Sequence, residues 1–487
     1  MKQTFDCNSQ YPIEQISNRF YFSKKTVKPQ LLKPPQNPLA RGFKHITRVF
    51  ILGTAFLCFL QHVNSQTTEI NKAMNTEYES IHAHLYNELI PFWEKNAVDK
   101  TYGGFMTNFD ANGLALDMPE KYLNTQCRMI WWFSQLNSVV PSASNKEKAK
   151  QGVDFLIKYL WDEKNGGWRW KVKRDGSPID DGKIVYGQSF AIYALADYYI
   201  STGDKRGLEY AEKTFDLLQK HCADTYYGGY YENLESNWTP AQNGFSGGDR
   251  KGLDTHMHLM EAFTSLYSAS RNELHKRKLI EIINLISDKM VDHVAGSGLN
   301  QFDLAWKPLP AINIKRTWNA EREGEKPADP TETTSYGHNT ELVWLMVRAL
   351  NAANESVEKY KPLFKLLLDN AVKYGVDFER GGIYRDGLRK GGALVLEKEW
   401  WQHTESLVGF LEGYELFNDI RYYEAFKTIW NFIDKKMINH QVGEWRRLLD
   451  RDGKVIDGNI GNEWKVAYHT GRSMMECDSR LKRLKQK

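Results

Sequence analysis

The stretch YGGF at residues 102–105 is the first copy of an element that recurs along the chain and decides its fold. Further copies read GGW at 166–168, YGGY at 227–230, GGI at 381–383 and, less perfectly, GEW at 443–445. Successive copies lie 63, 62, 153 and 62 residues apart, and the long interval has room for another copy near 296–302 and an insertion. A fixed period of this length indicates a repeat protein, here with six units.

Helical patterns lie between the copies. Apolar residues recur with the spacing i, i+3 and i+4 in residues 187–200, 257–268, 339–351 and 404–417. Each unit has room for two helices, and the glycine element between them predicts a short hairpin or loop. Six helical hairpins that close into a ring would form an all-α (α/α)6 barrel with short β-hairpin or loop elements at one end. An open solenoid is the alternative, but motif-rich loops on one side favour closure.

The N-terminal region differs from this repeat. Residues 1–43 are polar and contain several prolines, among them Pro29, Pro34, Pro35 and Pro38, which predicts a disordered extension or a start assigned too far upstream. Residues 44–65 combine basic residues, a 12-residue apolar run and small residues before Gln66, which is typical of a secretory signal. We therefore expect an exported protein, periplasmic or secreted, with one catalytic domain over 66–487. The run is short for a stable membrane span, although an uncleaved leader would anchor the chain.

The composition excludes several classes of protein. Hydrophobic residues make up 41% and charged residues 26%, unlike a disordered chain or a multi-span membrane protein. The first 65 residues are strongly basic, so the rest of the chain is slightly acidic despite the net charge of +4, and nothing indicates nucleic-acid binding. The cysteines beyond the leader, Cys127, Cys222 and Cys477, are too widely spaced for a disulfide framework or a zinc motif, and we expect no disulfide.

Histidines recur near the predicted helix starts. They are His258, His338, His403 and His469. His258 and His338 each have a glutamate three residues later, Glu261 and Glu341, so each pair shares one helix face. Asp254 or Thr255 is the expected N-cap of the helix that carries His258. One such histidine is more often structural, but four in register predict side chains that converge at one end of the ring.

Two alternatives remain open from the residues alone. The His-x-His pair at 256–258 and the His-x-x-Glu pairs could ligate zinc or a di-metal centre. The sequence has no His-Glu-x-x-His motif and no cysteine cluster, so we expect no metal and no other cofactor. Arg128 lies in an aromatic, apolar helix, where burial is costly without a partner. It either holds a structural carboxylate or faces a polar pocket.

Together these motifs resemble the N-acylglucosamine 2-epimerase superfamily, most closely its cellobiose or mannobiose 2-epimerases. The resemblance covers roughly residues 75–480. It rests on Gln126–Trp131, Tyr186–Phe190, Thr255–Glu261, Ser335–Glu341, Trp400-Trp401, and Trp464 with Tyr468-His469. It implies an (α/α)6 barrel, in agreement with the repeat count. It also implies an isomerase that interconverts glucose-type and mannose-type reducing-end sugars without a cofactor.

The resemblance assigns acid/base roles to individual residues. His338 and His469 are the expected pair that removes and returns the C2 proton through an enediolate. His258 is the further active-site histidine, expected to assist ring opening or bind a hydroxyl. Glu341 is expected to orient His338 by accepting its other N–H.

The resemblance also implies a set of substrate-binding residues. Arg128 is expected to stabilise the enediolate oxygen, and Trp401 and Trp464 to stack on the sugar. Further contacts with the substrate are expected from Tyr186, Asp254 and His403.

The expected partner is a mono- or disaccharide, bound by a monomer or a homodimer. An aldose–ketose isomerase or an N-acylglucosamine 2-epimerase on the same scaffold is the nearest alternative. A glycoside hydrolase would need two carboxylates that flank a bond. The candidates Glu261, Glu341 and Glu405 each neighbour a histidine, which suits supporting roles better.

Overall fold

A computed structural model of the chain describes residues 72–243, 248–309 and 333–486. These ranges fall within one compact unit. The predicted extension at 1–43 and the signal-like segment at 44–65 lie outside them, so export stays a prediction. Among the described residues, no helix has both the length and the apolar character needed to cross a membrane.

Twelve helices follow one another through the described ranges. Helix α1 occupies residues 72–84 and continues through a π-helical turn at Leu85–Leu89 into Ile90–Asn96. The others are α2 Leu123–Val139, α3 Ala143–Phe155, α4 Val185–Thr202, α5 Lys205–His221, α6 Leu253–Ser270, α7 Glu273–Lys289, α8 Tyr336–Ala353, α9 Lys361–Asn370, α10 Trp400–Phe417, α11 Ile420–Phe432 and α12 Ala467–Leu484. Single π-helical turns extend three outer helices: Leu156–Leu160 after α3, Ala371–Gly375 after α9 and Ile433–Met437 after α11.

The even-numbered helices form the inner ring and the odd-numbered helices surround it. Inner helix α4 is buried at every position from Val185 to Tyr198, whereas outer helix α5 buries one stripe that includes Ala211, Phe215 and Leu218. A helix that is buried all round requires neighbours on every side. Each inner helix packs against the next, and α12 packs against α2. The ring is therefore closed, which confirms the (α/α)6 barrel and excludes the open solenoid.

Short strands cluster where the inner helices begin. They are β1 Glu120–Tyr122, β2 Lys171–Lys173, β3 Pro178–Asp180, β4 Lys183–Ile184, β5 Asn233–Leu234, β6 Arg250–Gly252, β7 Val291–Asp292, β8 Ser297–Gly298, β9 Gln301–Asp303, β10 Thr333–Ser335, β11 Asp386–Leu388, β12 Ala393–Val395, β13 Lys398–Glu399, β14 Ile438–Asn439, β15 Glu444–Trp445, β16 Leu448–Leu449 and β17 Val455–Asp457. All pairings are antiparallel, in the orders β1-β2-β3, β4-β5, β6-β9, β7-β8, β10-β11-β12, β13-β16-β17 and β14-β15. The predicted hairpins at one end of the barrel are thus confirmed.

Each glycine element is a tight turn between an outer helix and the next inner helix. In the first copy, Asp99 Oδ1 accepts the backbone N–H groups of Thr101 and Tyr102, and Gly103 donates its N–H to the Asp99 carbonyl. Gly104 has φ +65°, and a Cβ there would lie 2.9 Å from the Phe155 ring. Only glycine meets both demands at low cost. An equivalent turn begins at Asp292 and reaches Gly296, which confirms the copy predicted near 296–302.

A buried lysine locks most of these turns to the ring. It stands two residues before an inner helix and pairs with a carboxylate of the turn. The pairs are Lys121–Asp99 at 2.9 Å, Lys183–Asp162 at 2.8 Å, Lys251–Asp224 at 2.7 Å, Lys398–Asp377 at 3.1 Å and, in the sixth unit, Lys465–Glu444 at 3.1 Å. Before α8 the position holds Thr334, and the turn aspartate Asp292 pairs instead with Arg389 at 2.6 Å. These buried pairs fix the end of the barrel where the inner helices begin.

Candidate active site

The first turns of all six inner helices place polar side chains at the hairpin end of the barrel. The sixth residues of the six inner helices occupy equivalent positions. They are Arg128, Phe190, His258, Glu341, Glu405 and Arg472. Apart from Phe190, these side chains are charged or titratable, and all are buried. Burying such groups is unfavourable unless they bind one another. Their contacts therefore define a functional centre.

Arg472 contacts three carboxylates of this centre, and we refer to its guanidinium as the hub. Its guanidinium donates to Glu261 of α6, to Glu341 Oε1 of α8 at 2.8 Å, and lies 2.9 Å from Glu405 Oε1 of α10. Burial and the neighbouring Glu405 raise the pKa of Glu341 to about 7. Burial also raises the pKa of Glu405, whereas Arg472 and His258 lower that of Glu261 to about 2. Glu341, predicted to orient His338, accepts a hydrogen bond from Arg472 through Oε1, and its predicted role towards His338 stays a prediction.

His469 is attached to the hub through Glu405. Its Nδ1 lies 2.7 Å from Glu405 Oε1. Burial, followed by the positive charges of Arg128 and Arg472, holds the pKa of His469 well below its usual range. In the tautomer in which Nδ1–H donates to Glu405, the neutral ring keeps its lone pair on Nε2, which is the arrangement of a general base.

His338 has the opposite electrostatic surroundings. Its Nε2 lies 3.4 Å from Asp254 Oδ1, and the Nε2 of His258 lies 3.4 Å from the same oxygen. Burial by itself would lower the pKa of His338, but Asp254 more than offsets this and raises it. Burial also lowers the pKa of His258, but Asp254 and Glu261 outweigh it and raise this pKa to about 9. Glu261 Oε2 lies 3.0 Å from His258 Nδ1. Both rings are thus biased towards imidazolium.

The two predicted acid/base histidines meet at one tryptophan. His338 and His469 are each the third residue of their helix, α8 and α12, and Trp401 of the intervening α10 lies between them. The Trp401 ring centroid is 4.6 Å from that of His338 and 6.2 Å from that of His469. The structure therefore brings together the three residues on which the predicted chemistry depends.

Arg128 lies in an aromatic part of the same site. It donates to the Trp464 carbonyl at 2.6 Å and to the Tyr186 hydroxyl at 2.8 Å. Its guanidinium carbon lies 4.5 Å from the Phe190 ring centroid and 5.0 Å from that of Tyr468. Within the described ranges it forms no carboxylate pair, so of the two interpretations left open by the sequence the structure favours the polar pocket.

His403, predicted to bind substrate, forms contacts with the backbone. Its Nδ1 lies 2.8 Å from the Glu399 carbonyl, and its Nε2 accepts the Ile383 N–H at 3.2 Å. The fourth residue of other inner helices likewise accepts a backbone N–H of the neighbouring turn. These residues are Gln126, Gln188, His256 and Asn339. Both ring nitrogens of His403 thus contact the backbone, which favours a structural role, and substrate binding by His403 stays a prediction.

Asp254 and Thr255, the expected N-caps of α6, lie inside the helix. The N-cap is Gly252, which forms no side-chain cap. The helix starts earlier than the sequence pattern indicates because strand β6 runs directly into it. This shift places Asp254 one turn before His258, where its carboxylate reaches two histidines.

Arg472 and the bridging role of Asp254 are the features that the sequence predictions missed. Arg472 follows His469 by three residues, the spacing that already joined His258 to Glu261 and His338 to Glu341. Extending that pattern to α12 would have found it. Donor atoms of Glu341, Glu405 and His469 lie within 4.8 Å of one another. The Arg472 guanidinium already pairs with both carboxylates, which disfavours a further cation there.

Comparison with known proteins connects this geometry to sugar isomerases. The family model for N-acylglucosamine 2-epimerase (GlcNAc 2-epimerase) matches residues 103–473. Cellobiose 2-epimerase of Dictyoglomus turgidum is 28% identical over 407 residues, covering 82% of this chain and 98% of that protein. D-mannose isomerase of Marinomonas mediterranea is 26% identical, covering 83% and 97%. The structure of cellobiose 2-epimerase from Bacillus thermoamylovorans B4167 aligns with a TM-score of 0.74 and 26% identity, over 83% of this chain and 100% of that one.

Proposed function

The chain belongs to the N-acylglucosamine 2-epimerase family, and from this premise we propose that it inverts C2 of a reducing-end sugar. The proposed substrates are disaccharides of the cellobiose or mannobiose class, in which a glucose-type unit becomes a mannose-type unit. Five cellobiose 2-epimerases at 26–28% identity, each covered over nearly its whole length, support this class.

Inversion at C2 needs an acid and a base on opposite faces of one carbon. The open-chain aldehyde acidifies the C2 proton, and its removal gives an enediolate. Return of a proton to the other face completes the inversion. Imidazole suits both steps because its ordinary pKa is close to neutrality.

The observation that carries the proposal is the pair of histidines, His338 and His469, whose rings both lie next to the Trp401 ring. In our mechanism, neutral His469 removes the proton through Nε2, and the imidazolium of His338 donates one to the opposite face. The opposite directions in which the site moves their pKa values support this division. In the reverse reaction the two rings exchange roles.

Other side chains supply charge and a binding surface. Arg128 stabilises the enediolate oxygen, an effect that is strong where water is excluded. Trp401 and Trp464 provide the stacking surface for the sugar, and Tyr186 and Asp254 line it. His258, whose ring nitrogens both face carboxylates, contributes positive charge during ring opening rather than a base.

An aldose–ketose isomerase is the second candidate, supported by the similarity to D-mannose isomerase. It would use the same enediolate but return the proton to C1. The solved structure of an alpha-mannanase of glycoside hydrolase family 76 from Bacteroides thetaiotaomicron aligns with a TM-score of 0.55 at 11% identity, which shows a common fold alone.

Incubation of the protein with sugars in deuterated water tests the proposal. Cellobiose, mannobiose, glucose, mannose and N-acetyl sugars would be compared by NMR. We expect deuterium at C2 of an epimeric product, whereas deuterium at C1 of a ketose would identify the isomerase. His338→Ala and His469→Ala should each abolish C2 exchange. His82→Ala, on outer helix α1 and paired with Asp478, serves as the control. C2 exchange that persists in both site variants would refute the histidine pair.

A further inference from the structure

A chain of alternating charges runs from the hub to His338. Arg472 binds Glu261, Glu261 Oε2 lies 3.0 Å from His258 Nδ1, and His258 Nε2 lies 3.4 Å from Asp254 Oδ1. Asp254 Oδ1 is in turn 3.4 Å from His338 Nε2. One carboxylate oxygen thus stands between two imidazole rings from different helices.

From this geometry we propose that Asp254 is a positioning residue that holds His338 in its proton-donating form and so fixes which histidine of the pair begins as acid. The inference rests on the proposed function and deepens it. His469 reaches Arg472 through Glu405 alone, whereas His338 reaches it through Glu261, His258 and Asp254. The two arms differ in length, and the carboxylates at their ends have different second partners: Glu405, beside His469, also pairs with Arg472, whereas Asp254, beside His338, also pairs with His258.

Asp254 is suited to this task because it is itself anchored. Burial would raise its pKa, but His258 and His338 hold it well below its usual range, so the carboxylate is ionised throughout the physiological range. His258 cannot turn away, since Glu261 holds its other nitrogen, and Glu261 also accepts from the Tyr468 hydroxyl at 2.8 Å. The carboxylate therefore acts as a fixed negative charge beside His338.

The other charged groups around His338 do not replace this carboxylate. On its own helix, Glu341 favours the imidazolium but is bound to Arg472, and on α6, His258 disfavours it. On α10 and α12, the charges of Glu405 and Arg472 pair with each other at 2.9 Å, and His469 is held neutral. Asp254 is thus the carboxylate directed at the His338 ring.

The proton inventory of one turnover follows from this arrangement. A proton moves from C2 to His469, another moves from His338 to the opposite face of C2, and Asp254 stays ionised. The enzyme is left with the proton on His469, and exchange with solvent returns it to His338. Asp254 drives that reset, because it stabilises a proton on His338.

Titration of His338 in variants of Asp254 tests the role of Asp254 without relying on turnover. Asp254→Asn keeps the shape and removes the charge. The His338 signal would be followed by NMR with labelled histidine and assigned by its loss in His338→Gln. An opposite charge at this distance changes a pKa by about 1–3 pH units. We therefore expect the midpoint of His338 to fall by at least about one pH unit, and Asp254→Glu to restore part of it.

The pH profile supplies the second readout. Activity that needs the His338 imidazolium falls as pH rises through its pKa, so the alkaline limb of kcat/KM should move to lower pH in Asp254→Asn. Activity at pH 8 should drop about tenfold for every pH unit by which this limb moves, with far less loss at the acidic end. Asp452→Asn is the matched control, because it removes an exposed carboxylate that pairs with Arg380.

The outcomes separate this inference from the proposed function. An unchanged midpoint of His338 in folded Asp254→Asn overturns the role of Asp254, whatever the activity. A lower midpoint of His338, together with a shift of the alkaline limb of kcat/KM to lower pH, supports it. If the wild type exchanges no C2 proton on any sugar while the midpoint still falls, the proposed function fails and the control of the His338 proton by Asp254 stands.

Discussion

Replacing Arg472 with methionine tests the charge network that connects both histidines. Methionine keeps an unbranched stem against Trp344 and Tyr468, whose ring centroids lie 4.7 and 4.3 Å from the guanidinium carbon. It removes the cation that binds Glu261, Glu341 and Glu405 together. Leaving a buried charge without its partner costs about 3–5 kcal/mol. We expect the free energy of unfolding at pH 8 to fall by at least that amount.

The loss should depend on pH in a defined direction. Glutamate has a pKa of about 4.3 in an unfolded chain, and Glu341 already has a pKa of about 7 in the folded protein. Without Arg472, the folded pKa of each of the three carboxyls rises. A folded pKa above the unfolded value means that stability is retained below the unfolded pKa and lost as pH rises through the folded one. The part of the deficit that comes from Glu341 and Glu405, whose folded pKa values are already raised, should therefore be small near pH 5 and grow towards pH 8. The part that comes from Glu261, whose folded pKa is about 2 with Arg472 in place, should already be present at pH 5.

Arg480 provides a matched control on the same helix. It also binds three carboxylates, those of Glu412 at 2.7 Å, Glu415 at 2.6 Å and Glu476 at 3.3 Å, but none of them contacts a site histidine. Urea unfolding followed by tryptophan fluorescence between pH 5 and pH 8, with C2 exchange measured on the folded variants, compares the two. Arg480→Met should lose stability and retain activity, whereas Arg472→Met should lose both. An Arg472→Met variant that is as active as Arg480→Met, with a deficit independent of pH, would refute the network.

The hairpin end of the barrel yields two further predictions. Gly104→Ala should lower the free energy of unfolding by about 1–3 kcal/mol, because φ of +65° and the nearby Phe155 ring both oppose a Cβ. Gly203→Ala is the control: Gly203 also has a positive φ but has open space around it, so this variant should lose less stability. Equal losses in the two variants would contradict the packing argument. His403→Gln should be tolerated, since Gln126 and Gln188 do the same task in α2 and α4, whereas His403→Ala should cost about 1–3 kcal/mol with an unchanged KM. A raised KM in His403→Gln would support substrate binding by His403.

The sequence predicts the ring of helices well because each repeat unit contains short-range patterns, namely glycines at the turns and apolar periodicity in the helices. A glycine with φ above +60° recurs near every hairpin, and the predicted helix at 257–268 lies within Leu253–Ser270. The missing first turn has a physical cause. Asp254 and His256 are polar, so a search for apolar periodicity excludes them, although both lie in the inner helix.

The site is predicted less completely because its contacts are not local. The resemblance implies that Glu341 orients His338, but nothing in the sequence indicates that Glu341 also accepts from Arg472 on α12. Asp254 and His338 are 84 residues apart, and only closure of the ring brings α6 against α8. The structural contacts of His403 were not predicted for a related reason. Its position in the repeat is shared by Gln126 and Gln188, and recognising that equivalence requires the structure.

The network also determines how substitutions at this site should be interpreted. Because Arg472 joins both arms, removal of one carboxylate alters the charge felt by the other histidine. Removing Asp254 frees His258 to bind Glu261 alone, and removing Glu405 leaves more of Arg472 for Glu341. Residues in one buried network do not contribute additively. A double variant of Asp254 and Glu405 should therefore differ in activity from the product of the single effects, and simple multiplication would mean that the two arms act independently.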